Sequence, residues 1–323
     1  MSSAPGAPHP RLVGDIGGSG CRFGWVAEAG AAVGDVAAFD AAIAPEAAIL
    51  EYIGRRPGCP PASAALGVAA PVAGDTVSLT NRAWTFSITE LERRLGLARL
   101  LVLNDFAALA HGLPLLGRTE VLPIGAGEAV VGAPMAIVGP GTELGVSGVV
   151  PAPGGPVVLA GEGGHMSLAP ASPREDAIVS LLRHRFGHVS AERVLSGDGL
   201  VNLHDALRTL DGLTPRRRSA AQITAPESAS DASCREAVAL FFAFLGSVAG
   251  DLALILGARG GVYIAGGIVA RLGDAIVRSP FRARFEAKGR YGAYLAAIPS
   301  AVILDASDLA LRGANAALSG CGG

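Results

Sequence analysis

Cysteine, aromatic residues and net charge are all scarce in this sequence. Its 323 residues include only 4 cysteines, whose spacing fits neither a zinc site nor a small disulfide framework, so we expect a reducing, cytoplasmic location. The formal net charge is −2, which gives no general electrostatic attraction to nucleic acid or to an anionic membrane. The basic run PRRRS (215–219) lies in a polar stretch, and we interpret it as a solvated loop.

Neither a long apolar run nor a targeting signal is recognisable. The longest relevant uncharged run is AVALFFAFLGSVAG (237–250), whose 14 residues are too few to span a bilayer, so we predict a buried core helix there. The first residues, MSSAPGAPHPRLVGD, do not have the pattern of a signal peptide. We therefore expect neither a membrane nor a nucleic acid among the partners of this protein.

Small residues and a regular alternation of elements are what the chain does have. Half of the residues are hydrophobic, 5% are aromatic and 45 are glycine, which favours an Ala/Gly-rich α/β protein with tight turns. In the first half, strands alternate with helices, as in a parallel or mixed sheet covered by helices. The predicted elements there are helices over 46–56, 87–97 (with a capping box at Ser87 and Glu90) and 105–113, and strands over 63–70 and 98–104.

The second half is predicted to be richer in helices. Its elements are helices over 172–186, 191–209, 233–257 and 307–320, strands over 260–267 and 300–306, and a loop over 211–230. No change in composition marks a flexible linker between domains.

Two glycine turns of similar design stand out. RLVGDIGGSGCRFGWV (11–26) and MAIVGPGTELGVSGVV (135–150) each predict a strand, a turn with a small hydroxyl residue (Ser19 or Thr142), and a second strand. One such turn indicates only a β-hairpin. The pair indicates a duplicated architecture whose N–H groups grip phosphate, with Asp15 at a strand end placed to hold Mg²⁺ through water.

Asn104 and Asp105 lie where an apolar strand gives way to a helix. Ligands of open α/β sheets bind at the carboxyl ends of strands. Asp105 is therefore either a helix N-cap or a carboxylate that accepts a hydroxyl proton, with Asn104 orienting the same hydroxyl. The sequence leaves both interpretations open.

Three further segments carry polar residues or paired glycines. GEGGH (161–165) forms either a structural turn or a turn that aims Glu162 and His165 at one small polar ligand. VSAERVLSG (189–197) puts Glu192 at a predicted helix start, where the macrodipole already favours a carboxylate. GGVYIAGGIV (260–269) runs from a strand into two glycines at a helix start, which suits close approach of a flat ring or a phosphate.

Together these segments resemble the bacterial glucokinases. That family has a two-domain α/β fold of the actin-like ATPase (ribonuclease H-like) type, with a cleft between the domains. We accordingly expect a small domain over 1–115 plus 306–323 and a large domain over 116–305. The resemblance covers residues 10–320 and rests on LVGDIGG, GVAAPVAGDTVSLTNRAWTFSI (67–88), LVLNDF, GPGT, GEGGH, VSAERVLSG, GGVYIAGGIV and SPFRARFEAKGR (279–290).

The resemblance implies a function and assigns residues to it. It implies a cytoplasmic homodimer that uses ATP and Mg²⁺ to phosphorylate glucose at its 6-hydroxyl, as in glycolysis. Asp105 falls on the position of the catalytic base. The sugar-binding positions fall on Asn104, Asp105, Glu162, His165 and Glu192. The ATP-binding positions fall on Gly14, Asp15, Ile16, Gly17, Gly18, Ser19, Gly141, Thr142, Gly145, Gly266 and Gly267.

The departures from the family pattern all lie in the ATP loops. Ser19 and Gly20 stand where the family typically has Thr followed by Asn or His, and Glu143 occupies a glycine position. We expect positive φ at that glycine position, which would cost Glu143 about 1–2 kcal/mol. Its charge would also repel the γ-phosphate, unless the loop turns the side chain out to solvent, where screening removes most of the repulsion. The alternative function is thus a glucose-binding homologue whose ATP use is impaired by Gly20 and Glu143.

A sugar-responsive repressor of related fold is a third alternative. We consider it disfavoured, because residues 1–11 leave no room for a helix-turn-helix.

Overall fold

The computed structural model describes residues 8–79, 83–214 and 216–320. Contacts group the chain into two compact units, the first comprising Met1–Arg118, Val149–Ala160 and Asp305–Gly323, and the second Thr119–Gly148 and Gly161–Leu304. The domain bounds predicted from the sequence differ from this grouping and stay a prediction. Their outermost residues, 1–7 and 321–323 (with Cys321), lie outside the described residues. So do Pro215 of the basic run and residues 80–82 of the long segment that resembles the glucokinases.

Runs of strands and runs of helices follow one another along the chain. The strands are β1 (Arg11–Gly17), β2 (Gly20–Val26), β3 (Gly34–Asp40), β4 (Ser63–Val68), β5 (Thr76–Ser78), β6 (Thr85–Ser87), β7 (Arg99–Asn104), β8 (Val121–Ile124), β9 (Met135–Pro140), β10 (Leu144–Val150), β11 (Val157–Gly161), β12 (Val262–Ile264) and β13 (Ser300–Ile303). The helices are α1 (Pro45–Gly54), α2 (Ile88–Leu95), α3 (Asp105–Gly112), α4 (Pro173–Phe186), α5 (Gly197–Leu210), α6 (Ala220–Ile223), α7 (Ala232–Leu256), α8 (Gly267–Leu272), α9 (Phe281–Glu286), α10 (Gly292–Ala296) and α11 (Ala306–Gly320).

The first unit is built on a five-stranded sheet with the order β3-β2-β1-β4-β7. β1 pairs antiparallel with β2 and parallel with β4, which in turn pairs parallel with β7. Every residue of β4 is buried, as expected for a central strand covered on both faces. Helix α11 covers one face, where Leu311 and Leu318 pack against Val13 and Ala65. On the other face Ile49 of α1 and Leu91 of α2 join the core.

A six-stranded sheet with the order β11-β10-β9-β12-β13-β8 supplies the second unit with β8, β9, β12, β13 and most of β10. β12 lies parallel to both β9 and β13, and β8 closes the edge antiparallel to β13. The order β11-β10-β9-β12-β13 repeats the order β3-β2-β1-β4-β7 of the other sheet. In each sheet three strands that are consecutive in sequence lie side by side, and the first of them, β9 or β1, is the central strand of these five. The duplication predicted from the two glycine turns is therefore present as a duplicated sheet.

Helix α7 forms the centre of the second unit's core. It is long and apolar enough to cross a membrane by length and composition alone, with a mean hydropathy of 2.1 in its most apolar stretch. That stretch is 61% buried within the protein, and Phe241, Phe244 and Leu245 are fully covered. A core helix has the same composition, so the predicted buried helix over 237–250 is confirmed.

Two predicted segments differ most from the structure, and the strands predicted over 260–267 and 300–306 are shorter, at Val262–Ile264 and Ser300–Ile303. The helix predicted over 191–209 begins only at Gly197, because the Ser196 hydroxyl caps it there and residues Ala191–Arg193 form a separate 3-10 turn. The loop predicted over 211–230 contains α6. Within that segment Arg218 is not simply solvated, since its guanidinium is largely covered and donates to Asp231 at 3.0 Å.

Candidate active site

The candidate residues of the first unit gather at one edge of its sheet. β1, β4 and β7 run parallel, and Ile16, Val68 and Asn104 lie side by side in register at their carboxyl ends. Gly67 lies under the start of α3, where a Cβ would stand 3.7 Å from the Asp105 Cα and 3.2 Å from the Ala108 side chain. The small residue thus lets the start of α3 approach the end of β4 closely.

Asn104, and not Asp105, is the N-cap of α3. Its side-chain oxygen accepts hydrogen bonds from the N–H groups of Phe106 (3.0 Å) and Ala107 (3.2 Å). Its amide nitrogen donates to the Ala70 carbonyl at 3.4 Å. Asp105 is instead the first helical residue, half-buried, with one carboxylate oxygen 2.9 Å from the Phe106 N–H. The interpretation of Asp105 as a structural cap is therefore wrong, which leaves its carboxylate as the candidate proton acceptor.

The first glycine turn is the hairpin between β1 and β2, in which Gly17 pairs with Gly20 and the exposed Ser19 lies at the tip. Gly20 has a φ of 154°, and a Cβ there would stand 2.6 Å from the Phe39 carbonyl oxygen. In this backbone a side chain cannot be added without a shift. The backbone at position 20 therefore suits the glycine that this chain has in place of the family's typical Asn or His.

Asp15 is the titratable group of this turn. It lies in β1 opposite Arg22 of β2. Burial raises the pKa of its carboxyl to about 6, and the charge of Arg22 opposes this only in part. At neutral pH this carboxylate is mostly ionised, and burying its charge destabilises the folded protein. A nearby cation would reduce this destabilisation.

In the second unit, the loop Pro140–Leu144 between β9 and β10 is held from several sides. Within it, the Gly141 N–H donates to the Glu143 carbonyl at 2.8 Å. The Gly197 N–H, at the start of α5, donates to the Gly141 carbonyl at 2.9 Å. The Leu144 N–H donates to a carboxylate oxygen of Glu192 at 3.1 Å.

Glycines of two further candidate segments press against the same loop. A Cβ at Gly164, in the GEGGH segment, would clash with the Leu144 carbonyl oxygen. A Cβ at Gly266, which has a φ of 100°, would clash with the Pro140 carbonyl oxygen. The loop is thus the point where the GPGT, GEGGH, VSAERVLSG and AGG segments converge.

Glu143 has an ordinary backbone conformation. Among the described residues, the one non-glycine with φ in the left-handed region is Asp35, at 49°. The expected cost of positive φ at Glu143 is therefore wrong, because this loop makes its turn without it. The side chain of Glu143 is exposed, so solvent screens its charge.

Glu162 precedes a short 3-10 turn, Gly163–His165, and His165 is its last residue, whose N–H donates to the Glu162 carbonyl at 3.1 Å. Both side chains are exposed. Glu192 lies on the turn Ala191–Arg193 and is half-buried. These three side chains and the loop belong to the second unit, whereas Asp15, Asn104 and Asp105 belong to the first.

A cavity of about 390 Å³ also lies in the second unit, and the sequence did not reveal it. Its volume is in the range of small-molecule sites. One wall is Leu272 and Ala275, which follow Gly267 along and just after α8. Ile223 and Thr224, which also line the cavity, come from the segment predicted as a loop. Ser219 and Gln222 form a capping box at the start of α6, and their S-x-x-Q pattern is the sequence feature that could have predicted a helix in that segment.

Comparison with known proteins identifies the family. The family model described as Glucokinase matches residues 12–320. A glucokinase of Aromatoleum aromaticum is 51% identical over 314 residues, covering 96% of this chain and 95% of its own.

The chain belongs to the glucokinase family.

Solved structures agree with this membership of the glucokinase family. The crystal structure of a glucokinase from an Antarctic psychrotroph superposes with a TM-score of 0.86 at 35% identity, covering 96% of this chain and 98% of that one. A ROK family glucokinase from Streptomyces griseus, solved in complex with glucose and AMPPNP, has a TM-score of 0.63 at 19% identity, covering 96% of this chain and 99% of that one. The second likeness shows the shared fold, which confirms the predicted actin-like ATPase class.

Proposed function

We propose that this protein transfers the γ-phosphoryl group of ATP to the 6-hydroxyl of glucose, giving glucose 6-phosphate and ADP. The observation that carries the proposal is the near full-length identity of 51% to a curated glucokinase. In this chain Asp105 directly follows the carboxyl end of β7, which runs parallel to β4 and β1. Phosphoryl transfer depends mostly on positioning and charge stabilisation, so a single well-placed base suffices.

Asp105 is proposed as the general base. Its carboxylate stands at the first turn of α3, and a carboxylate there can accept the proton of an attacking hydroxyl. Asn104 is proposed to bind the same sugar through its amide nitrogen, because its oxygen is occupied in capping α3. Ionised Asp105 accepts the proton as the oxygen attacks phosphorus, and no covalent enzyme intermediate is required.

Glu162, His165 and Glu192 are proposed as the remaining sugar ligands. Carboxylates accept hydrogen bonds from hydroxyls, and an imidazole donates or accepts according to its tautomer. All three side chains stand on short turns of the second unit, and Glu192 is bonded to the loop on which the GEGGH segment packs.

The two glycine turns are proposed to bind the phosphates of ATP. In the first turn the donors are the N–H groups around Gly17 and Gly18 and the hydroxyl of Ser19. In the second turn Thr142 supplies the hydroxyl. Gly141 is proposed to shape that turn and not to donate, because its N–H is already bonded to Glu143.

The base of ATP is proposed to occupy the 390 Å³ cavity. Helix α8 begins at Gly267, on the family's adenosine position, and ends at Leu272 in the cavity wall. The wall is mostly apolar, which suits a flat aromatic ring.

Asp15 is proposed to hold Mg²⁺ through water. Among the described residues no group of three or more His, Cys, Asp or Glu side chains is arranged to hold a metal ion. Mg²⁺ bound with a nucleotide needs only one or two carboxylates besides phosphate and water oxygens, so one ionised Asp15 fits. When bound, the ion would neutralise charge on the phosphates.

Three narrower properties are part of the proposal: a cytoplasmic location, a homodimer and a role in glycolysis. Among the described residues, Cys21, Cys59 and Cys234 are not joined in disulfides, which is compatible with a reducing compartment. The homodimer and the glycolytic role are supported by the family resemblance.

A coupled enzyme assay tests the proposed function. Purified protein with glucose and Mg-ATP is expected to produce glucose 6-phosphate at a rate that saturates in both substrates. The absence of product, with tight glucose binding in calorimetry, would instead support the glucose-binding homologue.

A further inference from the structure

Glu192 stands at a proposed sugar-binding position, yet its carboxylate is already bonded to the protein. Its Oε2 accepts a hydrogen bond from the Leu144 N–H at 3.1 Å. Leu144 is the residue at which the second glycine turn enters β10. Leu144 is buried and Glu192 is half-buried, so the bond is partly shielded from water.

The segment that carries Glu192 holds the same turn at a second point. The Gly197 N–H donates to the Gly141 carbonyl at 2.9 Å. The segment itself is braced by the buried Ser196 hydroxyl, which donates to the Glu192 carbonyl at 2.9 Å and accepts from the Gly199 N–H at 3.0 Å. Both ends of the turn, Gly141 and Leu144, are therefore tied to one short braced segment.

We propose that Glu192 is a positioning residue for the nucleotide as well as a sugar ligand. One carboxylate oxygen fixes the phosphate turn through Leu144, and the other remains for a sugar hydroxyl, because each oxygen accepts hydrogen bonds independently. The inference rests on the proposed function. It adds that nucleotide affinity depends on Glu192 even when no sugar is present.

The size of the effect follows from the bond that is lost. Glu192→Ala leaves the Leu144 N–H without its carboxylate, in a turn that must keep its shape to receive phosphates. Losing a charged hydrogen-bond partner of a buried N–H changes an equilibrium by roughly tenfold or more. Glu192→Gln should keep most of the nucleotide affinity, since an amide oxygen also accepts a hydrogen bond from an N–H.

The test measures binding of AMPPNP with Mg²⁺ by titration calorimetry, without glucose, to the whole protein. We expect the Kd to rise about tenfold or more in Glu192→Ala and less than threefold in Glu192→Gln. Glu162→Ala is the matched control, because it removes another proposed sugar carboxylate while the Leu144 N–H keeps its bond to Glu192. Its Kd for AMPPNP should equal that of the wild type.

Each other outcome contradicts the inference. If Glu192→Ala weakens glucose binding but leaves the Kd for AMPPNP unchanged, Glu192 is a sugar ligand alone. If Glu162→Ala and Glu192→Ala weaken AMPPNP equally, the effect is a general disturbance of the unit. If Glu192→Ala does not fold, Glu192→Leu, which also removes the acceptor of the Leu144 N–H, takes its place, and the inference is wrong unless this variant weakens AMPPNP binding while Glu192→Gln does so less than threefold. Failure of the proposed function is distinguishable, since the wild type would then make no glucose 6-phosphate.

Discussion

Gly313 of α11 lies directly against the Ala108 carbonyl of α3, with no space for a Cβ between them. Gly112 makes the reciprocal close approach to Leu309 of α11. The two helices are thus packed with their backbones nearly in contact. Because Asp105 is the first residue of α3, this packing fixes the helix that carries the proposed base.

Gly313→Ala is expected to destabilise the protein and reduce turnover. Overpacking of this kind costs about 1–3 kcal/mol, and here the obstacle is a backbone oxygen that cannot rotate away. Thermal denaturation should show a Tm several degrees lower, with a lower kcat. Gly320→Ala is the control, since a Cβ at this position of the same helix meets open space. Equal Tm values for the two variants would contradict the packing argument.

Glu143→Gly is expected to change ATP use little. Glu143 has no positive φ to relieve, and its side chain is exposed. Screening by solvent leaves only a small repulsion on the phosphates. The KM for Mg-ATP in the variant should stay within about threefold of the wild-type value at low and at high salt. A tenfold lower KM for Mg-ATP in the variant at low salt would show that the Glu143 carboxylate repels the phosphates. It would then support the alternative of a homologue with impaired ATP use.

Asp15→Asn is expected to stabilise the protein while lowering its activity. The pKa of Asp15 is raised from 3.8 to about 6 in the folded state, so the folded chain binds more protons than the unfolded chain between these values. Stability therefore falls as the pH rises through this window and stays lower above it, by roughly 3 kcal/mol at most.

Thermal melts at two pH values check the sign of this effect. The gain in Tm from Asp15→Asn should be larger at pH 7.5 than at pH 5, because the penalty of the buried charge is complete only above the folded pKa. A gain of the same size at both pH values, or a loss at pH 7.5, would mean that the carboxyl is not destabilised by burial. The rate with Mg-ATP should fall in the variant at either pH.

Glu162→Ala is expected to weaken glucose binding and spare the nucleotide. Loss of one hydrogen-bond partner of a sugar hydroxyl costs about 1–3 kcal/mol, or roughly tenfold and more in Kd. Calorimetry with glucose measures this directly, and His165→Ala should behave similarly. Unchanged glucose affinity in both variants would return the GEGGH segment to a purely structural turn.

Local patterns predicted much of the fold, because each depends on neighbours in sequence. The Ser87 hydroxyl caps α2 through the Glu90 N–H at 3.1 Å, although the Glu90 carboxylate binds Arg93 and does not return to Ser87. The two glycine hairpins and the buried α7 were readable for the same reason.

Contacts between segments far apart in the chain could not be predicted from the sequence. Glu192 could not be placed on the Leu144 N–H, because 48 positions separate the two residues and nothing in either local pattern indicates the pairing. The Asn104 cap was obscured by the neighbouring Asp105, since both side chains are good caps and only the backbone geometry decides. The candidate site residues were found by motif, and the bonds that hold them within each unit by the structure.

Asp105→Asn gives the most direct measurement of the central claim. An amide still accepts a hydrogen bond but cannot take the 6-hydroxyl proton, and a general base contributes about 10²–10⁴-fold to the rate. Asp198→Asn, at an exposed position in the first turn of α5, is the matched control and should keep wild-type activity.

The measurement is the initial rate of glucose 6-phosphate and ADP formation from glucose and Mg-ATP, with glucose binding measured in parallel. The account predicts equal amounts of both products from the wild type, a loss of at least about 10²-fold in kcat for Asp105→Asn, and glucose affinity within a few-fold of the wild type. A wild type that forms no glucose 6-phosphate, or an Asp105→Asn variant that keeps more than half of the wild-type kcat, would contradict it.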